Sequence, residues 1–202
     1  MKIYIDCDDV ITKTGEKLLE IAKRLFDTDI TFENMEFFDL KKTFRLNDEQ
    51  YNRLMAEAHI PDMLLSYEEL EGASETINSW VDMGYDVQVI TGRPYSTYEP
   101  TRKWLDDHGL SRLPLFHLDK YGRDIFTDDS TFSMTLDDFY TMDFDFIVED
   151  SPMSFKHLSH FKSCTVAVYD RPWNKNAELP GENYHRCFSW KDVDALLKER
   201  IS

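Results

Sequence analysis

Five short apolar runs, each ending at a polar or acidic residue, constrain the fold of this 202-residue chain more than any other feature. Apolar runs without polar alternation are typical of strands buried on both faces of a parallel sheet. The predicted strands are Ile3 to Ile5, Val87 to Ile90, Leu115 to Leu118, Phe144 to Val148 and Thr165 to Val168. Because segments with helical spacing separate them, the sequence predicts an α/β fold with helices on both faces of a parallel sheet.

The segment from Thr14 to Tyr67 breaks this alternation, since no part of it resembles a buried strand. Three of its stretches favour helix, namely Leu18 to Phe26, Phe37 to Phe44 and Glu49 to Ala58. We therefore expect residues 14–67 to form a helical insertion, and residues 1–13 and 68–202 to form the α/β core. A second segment that departs from the alternation, called here the second excursion, runs from Lys120 to Met142. It contains one predicted helix, Leu136 to Tyr140, and the sequence does not indicate its role.

The charge balance excludes several classes of partner. With 39 acidic and 23 basic residues, the formal net charge is −16, which repels nucleic-acid polymers and anionic membrane surfaces. The apolar runs are far shorter than the roughly 20 residues that span a bilayer. Three cysteines, Cys7, Cys164 and Cys187, lack the spacing of a metal site and suit free thiols in a reducing compartment, so we expect a cytoplasmic protein.

Carboxylates cluster after two of the predicted strands. Asp6, Asp8 and Asp9 follow the first strand, and Glu149 and Asp150 follow the fourth. Ligands of open α/β sheets bind at the carboxyl ends of the strands, where two acidic ends can converge on one ion. Crowded carboxylates raise one another's pKa or recruit a cation, and their hard oxygens suit Mg²⁺. Taken alone, the first group fits an acidic turn that opens a helix equally well.

A third strand ends in Thr91, Gly92 and Arg93. The hydroxyl of Thr91 and the permissive backbone of Gly92 could hold an oxyanion there. Arg93 could either reach substrate oxygens or form a salt bridge, and the sequence leaves both open. Each of these features is weak alone, whereas their order along the chain is informative.

This ordered set resembles the motifs of the haloacid dehalogenase (HAD) superfamily of phosphoryl-transfer enzymes. Ile3 to Val10 match its first motif, an apolar strand followed by DxDx(T/V), while Thr91 matches the second motif and Glu149 with Asp150 the fourth. The stretches ITGRP, VEDSP and YDRPWN are most similar to the 5'(3')-deoxyribonucleotidase branch and its bacterial relatives. The resemblance implies a Rossmann-like, HAD-like core with a small helical cap at residues 14–67.

The resemblance also implies roles for the matched residues. Asp6 would be the nucleophile that becomes a phosphoaspartate, Asp8 the general acid and then base, and Thr91 a phosphate-binding residue. Mg²⁺ would be held by Asp6, the backbone carbonyl of Asp8 and one or both of Glu149 and Asp150. Such a metal neutralises charge that otherwise opposes attack on a phosphate dianion.

The lysine of the family's third motif has two candidates. Lys120 follows the third predicted strand and is preferred. Its separation from Glu149 is wider than the motif leads us to expect, so Lys156, just past the acidic pair, is the rival.

Residues of the insertion are candidates for substrate binding. Phe37, Phe38 and Arg45, together with Lys41 and Lys42, bring aromatic surface and positive charge into an acidic chain. They would place rings against a base or sugar and cations near a phosphate, and Gly92 and Arg93 are further substrate-binding candidates. The alternative is that the rings belong to the core.

Two further groups are interpreted as structural. His157 and His160 have the spacing of a metal pair on a helix but lack a third ligand, so we expect surface histidines. Trp173 and Asn174 are expected to fix a loop by packing rather than to line a pocket.

The motifs predict a Mg²⁺-dependent phosphomonoester hydrolase, and the resemblance implies a 5'-nucleotidase for (deoxy)nucleoside monophosphates, whose partner is a small-molecule phosphate ester. One alternative keeps the chemistry but uses a sugar phosphate or another small metabolite. A second is a non-catalytic phosphorylation-sensing or ligand-binding module, against which Asp6 and Asp8 argue. The absence of a GxxxxGK motif excludes a P-loop enzyme. The oligomeric state, a homodimer included, stays open.

Overall fold

A computed structural model describes residues 1–122 and 132–201, and its strands form one parallel sheet in the order β4-β3-β2-β1-β5-β6-β7. The strands are β1 (Lys2–Ile5), β2 (Asp86–Thr91), β3 (Leu115–Leu118), β4 (Ser133–Met134), β5 (Phe146–Glu149), β6 (Thr165–Tyr169) and β7 (Tyr184–Cys187). The predicted α/β fold is confirmed, and all five predicted strands occur. The sequence analysis missed β4 and β7, the two edge strands.

Nine α-helices occur within the described residues. They are α1 (Thr14–Phe26), α2 (Leu40–Phe44), α3 (Asp48–Ala58), α4 (Pro61–Leu65), α5 (Ala73–Asp82), α6 (Tyr98–Asp107), α7 (Leu136–Thr141), α8 (Phe155–Leu158) and α9 (Trp190–Ile201). None of them is long and apolar enough to cross a membrane. The second excursion contains α7 as predicted, and its residues 123–131 lie outside the described part of the chain.

Helices cover both faces of the sheet because successive strand residues point to opposite sides. Ile3 and Ile5 of β1 pack in a cluster with Trp80 of α5 and Trp190 of α9. Tyr4, which lies between them, packs in a second cluster that includes Phe139 of α7. Both faces of the central strand are therefore buried.

The insertion after β1 has a hydrophobic cluster of its own. Leu18 and Ala22 of α1 pack with Leu54 and Ala58 of α3, and α1 to α4 all lie within residues 14–65. The helix expected from Phe37 begins only at Leu40, because the side chain of Asp39 accepts a hydrogen bond from the Lys41 amide at 2.9 Å and so caps the helix there.

The sheet register brings the acidic strand ends together. Ile5 pairs with Val89 of β2 on one side and with Val148 of β5 on the other. The Asp6 amide then donates to the Val148 carbonyl at 2.9 Å, so Asp6 lies beside Glu149, the last residue of β5. Because β1 is flanked by β2 and β5, their carboxyl ends form one edge.

Candidate active site

Three carboxylates converge at the carboxyl edge of the sheet. Asp6, Glu149 and Asp150 each offer an oxygen, and these atoms lie within 4.8 Å of one another. All three side chains are buried. The expected convergence of the two acidic strand ends is therefore present in the fold.

The other two acids of the first motif turn away from this group. The Asp9 carboxylate accepts the Gly15 amide with both oxygens, at 2.9 Å each, in the first turn of α1. Asp9 itself adopts a left-handed backbone conformation, with φ of 57°. Burial raises the pKa of Asp9 to about 7, against the lowering effect of Arg171. Asp9 thus matches the helix-opening alternative, and three of the five acids form the cluster.

Lys120 lies against the acidic cluster. Its Nζ donates to Asp6 Oδ1 at 2.8 Å and to Glu149 Oε2 at 2.9 Å, and its side chain is buried. Lys156 is exposed to solvent. The structure therefore brings Lys120, and not its rival, to the nucleophile candidate.

The backbone of Lys120 is held by a histidine that was expected on the surface. His157 is buried, and its Nε2 lies 3.0 Å from the Lys120 carbonyl. Because a carbonyl only accepts, Nε2 carries the proton, and Nδ1 accepts from the Tyr140 hydroxyl at 2.6 Å. The surface expectation was wrong for His157, whose partners lie 17 and 37 residues away along the chain.

Tyr4 completes the contacts of Lys120, and the sequence analysis did not single it out. Its hydroxyl accepts from Lys120 Nζ at 2.9 Å and donates to Glu149 Oε2 at 2.5 Å. Tyr4 and Asp6 are two residues apart and thus point to the same side of β1. A tyrosine in an otherwise apolar run, two residues before the candidate nucleophile Asp6, was the available signal.

The donor set fits a hard divalent cation. Burial and the charge of Glu149 raise the pKa of Asp6 to about 8, although Lys120 opposes this effect. Burial and the same glutamate raise the pKa of Asp150 well above its ordinary value. One ammonium group therefore does not neutralise the charge of three buried carboxylates. A divalent cation bound by their oxygens would supply the missing positive charge.

At the same edge, the buried Arg93 forms an ion pair with Asp8, whose side chain is 29% exposed. Arg93 Nη2 and Nε donate to Asp8 Oδ1 at 2.8 and 3.0 Å, and Thr14 Oγ1 donates to the same oxygen at 2.6 Å. Burial opposes ionisation of Asp8, but the charge and hydrogen bonds of Arg93 outweigh it and hold the pKa of Asp8 below its ordinary value. The guanidinium also lies 5.4 Å from the centre of the Tyr67 ring. Of the two roles considered for Arg93, this geometry shows the salt bridge.

The residues at the carboxyl end of β2 are tightly packed. Thr91 is fully buried, and its Oγ1 accepts from the Arg93 amide at 3.2 Å. A Cβ atom on Gly92 would lie 2.7 Å from the Tyr121 ring and 3.4 Å from Cε of Lys120. Glycine is therefore required at position 92 for close packing.

A cavity of about 460 Å³ separates this edge from the helical insertion. Its polar end contains Asp6, Asp8, Gly92 and Arg93. The insertion contributes mainly apolar and aromatic residues, among them Leu18, Met35, Phe37, Phe38, Met55 and Leu64. Phe38 packs against Tyr121 with ring centres 5.6 Å apart, while Phe37 is 51% exposed at the rim. Arg45 is exposed and lies outside the residues that line the cavity.

Trp173 has a place in the site that the sequence analysis did not expect. It lines the cavity, and its Nε1 donates to Asp150 Oδ2 at 2.8 Å. Its ring also packs on Phe32 of the insertion. Asn174 holds the loop through hydrogen bonds from Nδ2 to the carbonyls of Asp150 and Tyr169, each at 2.8 Å. The expected packing is therefore present, but the expectation that Trp173 does not line a pocket was wrong, because its indole lines the cavity and contacts a cluster carboxylate.

Comparison with known proteins identifies the family. The family model described as "5' nucleotidase, deoxy (Pyrimidine), cytosolic type C protein" matches residues 1–201. The chain belongs to this nucleotidase family. It is accordingly an enzyme, a hydrolase, and it has the HAD-like fold that the motifs had indicated.

Relatives of this nucleotidase are distant in sequence. A protein of Oceanobacillus iheyensis named "putative nucleotidase" is 22% identical over 201 residues, which cover 95% of this chain and 96% of that protein. Among solved structures, a HAD family hydrolase from Deinococcus radiodurans with bound phosphate and sodium is 14% identical, covers 98% of this chain and 95% of its own, and has a TM-score of 0.64.

A second solved structure, a haloacid dehalogenase-like protein from Streptococcus pneumoniae, is 10% identical, with 97% of each chain covered and a TM-score of 0.64. At these identities the two structures support the HAD fold and no more.

Proposed function

We propose that this nucleotidase is a Mg²⁺-dependent phosphomonoesterase that acts through a phosphoaspartate on Asp6. The observation that carries the proposal is Lys120, which joins Asp6 to Glu149 at the base of a cavity that also contains Asp8. A carboxylate held by an ammonium group, with a second carboxylate two residues on, supplies a nucleophile and a proton carrier at one cavity end.

In the proposed first step, an Asp6 oxygen attacks phosphorus while the bond to the ester oxygen breaks, and Asp8 donates a proton to that oxygen. In the second step, water attacks the phosphoaspartate, Asp8 takes the proton, and inorganic phosphate leaves with Asp6 restored. Asp8 is ion-paired with Arg93 in the structure and is ionised there, so it must leave Arg93 and take up a proton from solvent before it can donate to the ester oxygen.

Asp6, the Asp8 carbonyl and Asp150 would hold Mg²⁺, which supplies charge neutralisation between the attacking carboxylate and the phosphate dianion. Glu149 is the weaker candidate for a direct ligand, because its Oε2 accepts from both Lys120 and Tyr4 and its Oε1 accepts the Ser151 amide at 3.2 Å. Asp150 is tied by the Trp173 indole at one oxygen, Oδ2.

We propose a nucleoside 5'-monophosphate as substrate, with pyrimidine deoxyribonucleotides first because the family description names them. The cavity falls in the range of about 300 to 1,000 Å³ typical of small-ligand sites. Its mainly apolar and aromatic wall suits a flat base better than the several hydroxyl groups of a sugar phosphate, which lose hydration when they are buried against apolar side chains. Residues 14–67 would act as the cap, with Phe37 and Phe38 facing the base.

The cellular site proposed is the cytoplasm. The family description calls its members cytosolic, and Cys7, Cys164 and Cys187 are buried free thiols.

The test is phosphate release by the purified protein from a panel of deoxyribonucleotides, ribonucleotides and sugar phosphates, with Mg²⁺ or with a chelator. We expect Mg²⁺-dependent hydrolysis with the highest kcat/KM on pyrimidine deoxyribonucleoside 5'-monophosphates. A preference for a sugar phosphate would move the assignment to another HAD phosphatase activity. Absence of hydrolysis across the panel would overturn it.

A further inference from the structure

We propose that Tyr4 is a positioning residue that fixes Lys120 and Glu149 beneath the nucleophile Asp6. The inference rests on the proposed phosphatase function and assigns a role to a side chain that the first HAD motif counts only as a residue of its apolar strand. Its basis is the hydroxyl of Tyr4, which lies 2.9 Å from Lys120 Nζ and 2.5 Å from Glu149 Oε2.

Tyr4 takes the last donor of Lys120. An ammonium group has three N–H donors, and here they go to Asp6, Glu149 and Tyr4 at 2.8, 2.9 and 2.9 Å. Because all three N–H donors are engaged, the ammonium group has a single orientation. This orientation keeps Nζ hydrogen-bonded to Asp6 Oδ1. Without the hydroxyl, one N–H would lack a partner in a site where Lys120 is 1% exposed, so Lys120 would shift to find another acceptor.

The hydroxyl can serve both neighbours because it is neutral and fixed. A phenol ordinarily titrates at about pH 10, so the hydroxyl is neutral at neutral pH, and it donates its proton to Glu149 Oε2. Its ring is fully buried between Phe139 and Phe144, with ring centres 5.8 and 5.7 Å away. The phenol therefore bridges an ammonium and a carboxylate without adding charge to an already acidic cluster.

Phenylalanine at position 4 would keep the ring packing and remove only this bridge. Tyr184 offers a matched control, because it lies in the same hydrophobic cluster and its buried hydroxyl has no hydrogen-bond partner among the described residues. Both Tyr4→Phe and Tyr184→Phe thus remove a phenolic oxygen from the same hydrophobic cluster. Only the oxygen of Tyr4 contacts Lys120 and Glu149.

The experiment compares steady-state kinetics of the full-length variants on the best nucleotide substrate. Loss of a hydrogen bond to a charged group is worth roughly tenfold or more in rate, so we expect Tyr4→Phe to lower kcat about 10-fold with KM within about twofold. Tyr184→Phe should stay within about twofold of the wild type in both. In a Lys120→Met background, Tyr4→Phe should lower kcat no further, because it acts through Lys120.

A kcat of Tyr4→Phe equal to that of the wild type, an equal loss in Tyr184→Phe, or full additivity with Lys120→Met would each overturn the assignment. If the wild type hydrolyses nothing on the panel, the proposed function fails instead. The same double-mutant cycle, measured on the free energy of unfolding, then decides the role of Tyr4. Non-additive effects would support the bridge to Lys120, and additive effects would contradict it.

Discussion

At the scale of single residues, the site combines one ammonium group with three buried carboxylates. Lys120 engages Asp6 and Glu149, while Asp150 is held by the Trp173 indole. Burial and Glu149 raise the pKa of Asp6 to about 8, so without a cation the nucleophile candidate is largely protonated at neutral pH. A bound divalent cation would favour the ionised form, which is the form that attacks.

The first residue-scale prediction concerns Asp6→Asn. An amide cannot supply the attacking oxygen, so turnover should fall by at least about 1,000-fold. Because asparagine, like the protonated form of Asp6 that burial and Glu149 favour, places no charge next to Glu149, the metal-free variant should melt no lower than the wild type. Phosphate release and thermal unfolding followed by circular dichroism measure both, with the exposed Asp106→Asn of α6 as control. Substantial activity in the folded variant would remove Asp6 as the nucleophile.

The second residue-scale prediction concerns pH and His117, which is fully buried beside the Arg93 carbonyl. Burial lowers the pKa of His117 to about 4, whereas an unfolded histidine titrates near 6.5. Between these values the unfolded state binds more protons, so His117 costs stability as pH falls from about 6.5 to about 4.

Urea unfolding at pH 7 and pH 5 should therefore show that His117→Asn loses less stability on acidification than the wild type, by about 1 to 2 kcal/mol. His160→Asn, at an exposed position, is the control and should follow the wild type. An identical pH dependence for wild type and His117→Asn would show that the buried histidine does not titrate as described.

At the scale of elements, the sequence predicted what depends on local pattern. β1, β2 and β5 are recognisable because their apolar runs end in the residues of the site. The half-exposed β7 contains His185 and Arg186, and its pairing with β6 forms only in the folded sheet. The local sequence does not indicate which distant strand β7 will pair with.

The same limit applies to the partners of the site residues. The motifs located Asp6, Asp8, Lys120, Glu149 and Asp150, because each lies at or just after the carboxyl end of a strand. The contacts of Tyr4 with Glu149 and of His157 with Lys120 join residues 145 and 37 positions apart. Side-chain direction at such distances is set by the packing of several elements, which a single sequence does not reveal.

The element-scale prediction concerns the insertion, whose Phe37 lies at the cavity rim. If the insertion sets substrate choice, Phe37→Ala should lower kcat/KM about 10-fold on the best nucleotide and less than about twofold on p-nitrophenyl phosphate. Because the ring is 51% exposed, the melting temperature should change little.

Phe188→Ala is the matched control, since Phe188 is 69% exposed and lies outside the cavity lining. An equal loss on both substrates, or a marked loss of stability, would show that Phe37 is a structural residue and leave the specificity residues unlocated.

At the scale of the whole molecule, the carboxyl ends of β1, β2 and β5 lie at one edge of the sheet, and the insertion covers that edge. The net charge of −16 makes the uncompensated acid cluster costly without a cation. Mg²⁺ should therefore stabilise the fold, because a ligand that binds only the native state shifts unfolding by mass action.

Millimolar Mg²⁺ should raise the melting temperature by roughly 5 to 10 °C if it exceeds its dissociation constant about 100-fold. Sodium chloride at matched ionic strength controls for screening, and Asp150→Asn should reduce the shift. A melting temperature indifferent to both Mg²⁺ and chelator would contradict a metal site at Asp6 and Asp150.

The central claim is that hydrolysis passes through a phosphoaspartate on Asp6, and the stereochemical course at phosphorus tests it most directly. The enzyme would hydrolyse a chiral, oxygen-isotope-labelled nucleoside phosphorothioate in isotopically labelled water. Two successive in-line displacements each invert phosphorus, so the account predicts net retention of configuration in the thiophosphate product. Net inversion, the signature of direct attack by water on the substrate, would contradict it.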